Sequence, residues 1–438
     1  MTAHQYPQIV TALPGPKAAK IIRADKQRLS TSYTRDFPMV VEKGEGALIY
    51  DVDGNVFLDF CAGIAVCSTG HCHPEVVAAI KDQADNLLHM SGTDFYYKVQ
   101  SDLAAQLCKL APGKEKKRIF FTNSGAESVE AAIKLVKYKT RRPRLLAFLG
   151  AFHGRTNGAL SLTGSKVVQK EGFAPLLPGV THIPYPDPYR GDKNGQDCLD
   201  YLEKTVFQKI VPPKEVAAIF FEPIQGEGGY VVPPQRFVEG LREITRKHGI
   251  LLVADEVQAG MGRTGKMFAS EHYGLEPDVI CLAKGIASGM PLGAIIARND
   301  VMDWPYGSHA STFGGNPVAC AASLKTLDLL EGGLIENSEK RGKYLQSKLK
   351  ALQKKHSCMG DVRGKGLMVG VEIVTDKKSK NPAPELRDTI VMDAFYKGLI
   401  ILGCGPNTLR FAPSLIVNKQ HIDCAVGIID KVLKKLRK

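Results

Sequence analysis

Between Arg118 and Arg298 the chain carries six short apolar runs that do not alternate polar with apolar residues: Arg118-Ile-Phe-Phe-Thr122, Leu145-Leu-Ala-Phe-Leu149, Val216-Ala-Ala-Ile-Phe-Phe221, Ile250-Leu-Leu-Val-Ala254, Val279-Ile-Cys-Leu282 and Gly293-Ala-Ile-Ile-Ala297. A strand with one face in water alternates, whereas an unbroken apolar run is covered on both faces. Stretches with helical spacing, Glu127 to Lys139 and Pro234 to His248, separate several of the runs. This alternation predicts an α/β domain with a largely parallel sheet. Ligands of such sheets bind beyond the carboxyl ends of the strands, so the residues just after each run are the first candidates for function.

Outside this block the texture changes. Residues 47–60 read as a hairpin turning at Asp53-Gly-Asn55, and from Pro317 the pattern is helical through Leu327, Leu345 and Leu352. Short strands are predicted near Gly366 to Val374 and Leu409 to Ala412, before a basic helix from Cys424 to Lys438. We expect residues 1–65 and 326–438 to form a smaller α+β domain and residues 66–325 the large one.

The charge balance calls for an anionic partner, since 58 Lys and Arg against 45 Asp and Glu leave a net charge of +13. Nucleic acid, a membrane surface and a small anion are the classes to weigh. The basic segments Lys114-Glu-Lys-Lys-Arg118 and Lys434-Lys-Leu-Arg-Lys438 lack interleaved aromatic residues and read as solvated faces, which argues against nucleic acid. No uninterrupted apolar stretch reaches about 18 residues and the first residues lack signal-peptide character, so a cytoplasmic protein without membrane contact is expected. The ten cysteines form no CxxC pair. Cys67-Ser-Thr-Gly-His-Cys-His73 crowds its Cys and His without the loop spacing of a tetrahedral site, and no metal is expected.

Three strand ends carry chemistry. Thr122-Asn-Ser-Gly-Ala-Glu127 is a strand end, a small-residue turn and a helix start, fit either to cradle a phosphate or simply to cap the helix. Asp255 follows the apolar Ile250–Ala254 run, where an acid needs a cationic partner because desolvating it alone is costly. Lys284, between Leu282-Ala283 and Gly285-Ile286, ends the next run; partial burial there would lower its pKa and free its amine as a nucleophile. Phosphate turn, acid and amine are together what pyridoxal phosphate requires: donors for its phosphate, a carboxylate for its ring nitrogen and an amine for its aldehyde.

The chain at this point resembles the class III (ω-amino acid) aminotransferases of pyridoxal-phosphate fold type I, the aspartate aminotransferase-like fold. The resemblance spans Gly46 to about Pro413 and rests on Ala151-Phe-His-Gly-Arg-Thr156, Phe221-Glu-Pro-Ile-Gln-Gly-Glu-Gly-Gly229, Ala254-Asp-Glu-Val-Gln258, Gly262-Arg-Thr-Gly265 and Ser311-Thr-Phe-Gly-Gly-Asn-Pro317. It implies that Lys284 holds the cofactor aldehyde and Asp255 its ring nitrogen. Ser124, Gly125 and Ala126 would hold the phosphate, Phe152 and His153 would border the ring, and Gln258 would approach the phenolic oxygen. Thr312 would reach the phosphate of a neighbouring subunit, making a homodimer the active unit. Arg155 and Arg410 would take substrate carboxylates, with Glu222 masking Arg410 in one half-reaction and releasing it in the other. The run Ala283–Gly293 and Gly265-Lys-Met-Phe-Ala269 look closer to 4-aminobutyrate transaminases than to acetylornithine ones, with ornithine the near second. An amino-acid racemase or epimerase on the same scaffold is the alternative, and non-catalytic nucleic-acid binding a third.

Overall fold

The computed structural model describes residues 7–436. The chain opens with a helix, Pro16–Arg28, and three antiparallel strands: β1 Val41–Glu45, β2 Leu48–Asp51 and β3 Val56–Asp59. The turn between β2 and β3 is tied by Asp51, whose Oδ1 accepts from the Asn55 amide at 2.8 Å. Seven strands then build the central sheet: β4 Lys117–Thr122, β5 Arg144–Phe148, β6 Val180–Ile183, β7 Val216–Phe221, β8 Leu251–Asp255, β9 Val279–Leu282 and β10 Gly293–Arg298. Their order across the sheet is β4-β10-β9-β8-β7-β5-β6.

All six residues of β7 are buried, as an unbroken apolar run demands of a strand covered on both faces. The helix Gly125–Thr140 supplies part of that cover through Val129, Ala132, Leu135 and Val136. One strand departs from the parallel expectation: β10 runs antiparallel to both β9 and β4. The link 283–292 is too short for a parallel crossover, which takes about a dozen residues or more, and too short a link forces reversal.

The C-terminal region adds β11 Met359–Lys365, β12 Met368–Ile373, β13 Leu399–Ile400, β14 Leu402–Cys404 and β15 Thr408–Phe411. Four of these form an antiparallel sheet ordered β11-β12-β15-β14, while β13 pairs in parallel with β3, so Leu399 lies opposite Leu58. The first and last parts of the chain therefore share one sheet.

Two tight local features brace this architecture. Residues 62–65 form a single left-handed turn, with φ of 48° at Ala62, 63° at Gly63, 66° at Ile64 and 59° at Ala65. Side chains other than glycine are disfavoured there by roughly 1–2 kcal/mol each. Asp59 holds the entrance by accepting from the Cys61 and Ala62 amides at 2.7 and 3.0 Å. The helix Ile335–Lys355, for its part, meets the β11–β12 turn backbone to backbone at Gly342, where an added Cβ would fall on the Gly366 carbonyl. Gly366, at φ 51°, in turn lies against Thr264.

No rotamer relieves a clash with a backbone carbonyl, so Gly342→Ala is expected to lower unfolding stability by about 3 kcal/mol. Denaturant titration against the unaltered chain checks this; a loss near zero would contradict the close approach.

Candidate functional site

The carboxyl ends of β5, β7, β8 and β9 open into a cavity of about 410 Å³, within the usual range for small ligands. Its lining brings together Ser124, Gly125, Ala126, Phe152, His153, Arg155, Glu222, Asp255, Gln258 and Lys284, ten of the twelve residues singled out from the sequence. Arg410 and Thr312 lie outside the lining.

Asp255 closes β8 and is buried, with Oδ2 2.7 Å from His153 Nδ1 and Oδ1 accepting from the Val257 amide at 3.0 Å. His153 is fully buried too. Burial alone would push its pKa down, but the hydrogen bond and charge of Asp255, with the charge of Glu222, raise it above the ordinary value. The acid thus has a buried hydrogen-bonding partner, and its own charge favours the protonated form of that partner.

Lys284 comes two residues after β9, and Asp255 lies opposite Cys281 in the parallel pairing of β8 with β9. Register alone therefore sets acid and amine at the same end of adjacent strands. Burial lowers the Lys284 pKa, with Arg410 acting in the same direction and Asp255 and Glu222 opposing. Its φ of 49° is left-handed, a strained conformation for lysine that the surrounding turn enforces.

At the far wall, the helix Gly125–Thr140 points its first turn into the cavity. The Ser124 hydroxyl caps it by accepting from the Glu127 amide at 3.2 Å, so the sequence reading of a plain cap holds in part. The amides of Gly125 and Ala126 belong to that first turn, which has no intrahelical acceptors and suits an anion. A Cβ at Gly125 would press on Val257 at 2.9 Å, so the turn is kept narrow from across the cavity. Gln258 receives the Tyr230 hydroxyl on Oε1 at 2.9 Å, which turns its NH₂ toward donation elsewhere.

The residues fit pyridoxal phosphate: a first turn for the phosphate, Asp255 for a ring nitrogen, Lys284 for an aldehyde, and Phe152 and Val257 as apolar walls. Thr312 is exposed, on a loop that Ser311 anchors to Asn123 at 3.1 Å.

One expected pairing is corrected. Glu222 does not mask Arg410; it accepts the Phe152 and Gly226 amides at 3.3 and 3.0 Å. Burial raises its pKa to about 7, against the pull of His153 and with the push of Asp255. Arg410, buried on β15, instead meets Glu227 at 3.3 Å. Both acids stand in Glu222-Pro-Ile-Gln-Gly-Glu227, five residues apart in sequence and on opposite sides of a turn. The signal for Glu227 was its place between glycines, where a charged side chain projects from a tight turn. Sequence reasoning also passed over Glu130, whose carboxylate caps the helix Asn157–Leu162 through the Gly158 amide at 2.8 Å and so fixes the loop bearing Phe152 and Arg155. His71, expected to hold no metal, is paired with Asp59 at 2.7 Å. Among the described residues, no helix is long and apolar enough to cross a membrane.

Comparison with known proteins adds a family. The profile of the family described as aminotransferase class-III matches residues 30–433. An alanine/serine racemase of Pyrococcus horikoshii is 44% identical, over 98% of this chain and 93% of its own length. An acetylornithine aminotransferase of Caldanaerobacter subterraneus is 42% identical over 95% and 100%, and a 4-aminobutyrate aminotransferase of Mycobacterium leprae 37% identical over 99% of both. The crystal structure of an aminotransferase from Bacillus anthracis superposes with a TM-score of 0.90 at 30% identity, covering 97% of this chain and all of its own.

Because Asp255 and His153 are buried together, His153→Leu should leave the carboxylate without its hydrogen-bonding partner and cost the cofactor-free protein about 3 kcal/mol. Chemical denaturation of the cofactor-free form measures it; an unchanged midpoint would show that the pair does not hold the strand end.

Proposed function

The chain belongs to the class-III aminotransferases, and we propose that within this pyridoxal-phosphate-dependent family it moves an amino group from an ω-amino acid of the 4-aminobutyrate or ornithine type to 2-oxoglutarate, in two alternating half-reactions. The observation that carries this substrate class is the buried Arg410 neutralised by Glu227 at 3.3 Å. An arginine already occupied by an internal carboxylate tolerates an amine-bearing carbon with no carboxylate attached, and once vacated it suits the α-carboxylate of glutamate or 2-oxoglutarate bidentately.

When bound, pyridoxal phosphate supplies an aldehyde for the amine and a ring that spreads the electron pair left on carbon. The chain supplies the rest. Lys284, its amine biased toward the neutral form by burial, takes the proton from the amine-bearing carbon of the substrate. Asp255, fixed by His153, would keep a proton on the ring nitrogen. Ser124, Gly125 and Ala126 would hold the phosphate at the helix start, His153 and Phe152 would border the ring, and Gln258 would donate to the phenolic oxygen. Arg155, exposed at the cavity mouth, offers its guanidinium to a distal substrate carboxylate.

A homodimer in the cytoplasm is part of the same reading. Leu88, Phe95, Tyr96, Tyr306 and Phe313 are large apolar side chains left exposed, a grouping that suits a subunit interface, and Thr312 sits among them where it could reach a neighbouring site.

Racemisation of an α-amino acid is the second reading, favoured by the 44% identity to the alanine/serine racemase. Single amino acids incubated with the enzyme and no oxo acid separate the two. Stoichiometric conversion of the cofactor to its amine form supports transamination, while loss of optical rotation with the cofactor unchanged supports racemisation. Lys284→Ala is expected to abolish turnover and the visible absorbance of lysine-bound cofactor; an active variant with that absorbance intact would overturn the assignment of the amine.

A further inference from the structure

The carboxylate that masks Arg410 is shared. Glu227 Oε2 lies 3.3 Å from Arg410 Nη1, while Oε1 lies 2.8 Å from Lys166 Nζ. The shorter contact is the lysine's. Charge-assisted hydrogen bonds at full strength measure about 2.7–2.9 Å, so the arginine contact is the slack one. Arg410 spends one donor on it, and its Nε is buried with no partner at all.

The backbone around Glu227 has little freedom. Its carbonyl accepts from the Gly405 amide at 2.6 Å, and two residues on, Arg363 Nη2 donates to the Gly229 carbonyl at 2.7 Å. Arg410 stands in the paired strand β15, opposite Gly370 on one side and Leu402 on the other. With both backbones tied, release of Arg410 takes side-chain rotation, in which Oε2 leaves the arginine while Oε1 keeps its contact with Lys166. The cations differ in what they lose. Arg410 retains 10% side-chain exposure and needs a counter-anion, whereas Lys166 retains 45% and is hydrated in either state.

We propose that Lys166 is a specificity-determining residue, a resting place for the Glu227 carboxylate that sets how readily Arg410 is released to a substrate carboxylate. The inference rests on the reading that Arg410 receives the α-carboxylate of one substrate class and not of the other. With Lys166 present, an incoming carboxylate displaces Glu227 from Arg410 and leaves it on the second cation instead of in water. Without it, Glu227 stays on Arg410, and the state that admits an amine lacking an α-carboxylate is favoured. Lys166 touches no reacting atom, and it acts through Glu227 alone.

The test compares Lys166→Met with Lys166→Arg in the holoenzyme. For the methionine variant, the ratio of KM for 2-oxoglutarate to KM for 4-aminobutyrate should rise about fivefold, the scale of a half-exposed ion pair. The dissociation constant of glutarate, an unreactive dicarboxylate, should weaken by a similar factor, with kcat little changed. The arginine variant should restore both. In a Glu227→Gln background, Lys166→Met should have no further effect. A ratio that stays put, equal changes in both KM values, or an effect that survives in Glu227→Gln each overturns the role of Lys166. Failure of the unaltered enzyme to use 4-aminobutyrate would sink the substrate reading instead, and glutarate binding would still decide whether Lys166 governs access to Arg410.

Discussion

The site depends on one buried contact, the 2.7 Å pair between Asp255 and His153. A carboxylate at the end of a strand that is covered on both faces is unfavourable unless a cation shares its burial. His153 arrives from the loop after β5 and Asp255 from β8, so the contact fastens two strand ends separated by β7. Glu222, just beyond the end of β7 between them, is a third titratable group whose charge helps to hold the proton on His153. Lys284 is then brought alongside by strand register. Acid and amine are set at one end of adjacent strands by register, and the imidazole is brought to the acid from the loop after β5.

Much of this was legible in the chain because burial writes itself into apolar runs. β7 and β9 match their predicted runs to the residue, and the others to within one residue at either end. Direction was not legible: a covered strand reads alike in either sense, and only the short link 283–292 reverses β10. Strands such as β11, β13 and β14 were missed because their neighbours, more than their own composition, make them strands; β13 is two residues long.

The confusion of Glu222 with Glu227 has a physical source. A motif specifies which residue types occur near a site, whereas partners are assigned by which face of a turn each side chain leaves. Glu222 leaves toward His153 and the amides of Phe152 and Gly226; Glu227, beyond the turn, leaves toward Arg410 and Lys166. Lys166 had no motif to announce it. It lies in a loop between the helix Asn157–Leu162 and β6, and its meaning exists only in three dimensions.

The left-handed turn at residues 62–65 bears on the order in which the molecule assembles. Three of its four residues have side chains that resist this backbone, so no local preference can nucleate it. Asp59, which grips its first amides, is itself placed by β3 pairing with β2 and β13, and β13 belongs to the far end of the chain. Val66, the next residue after the turn, lines the cavity. Formation of that wall therefore draws on both ends of the chain, and a chain lacking its last strands lacks support for the surface beside Asp255, Lys284 and the first turn of the helix Gly125–Thr140.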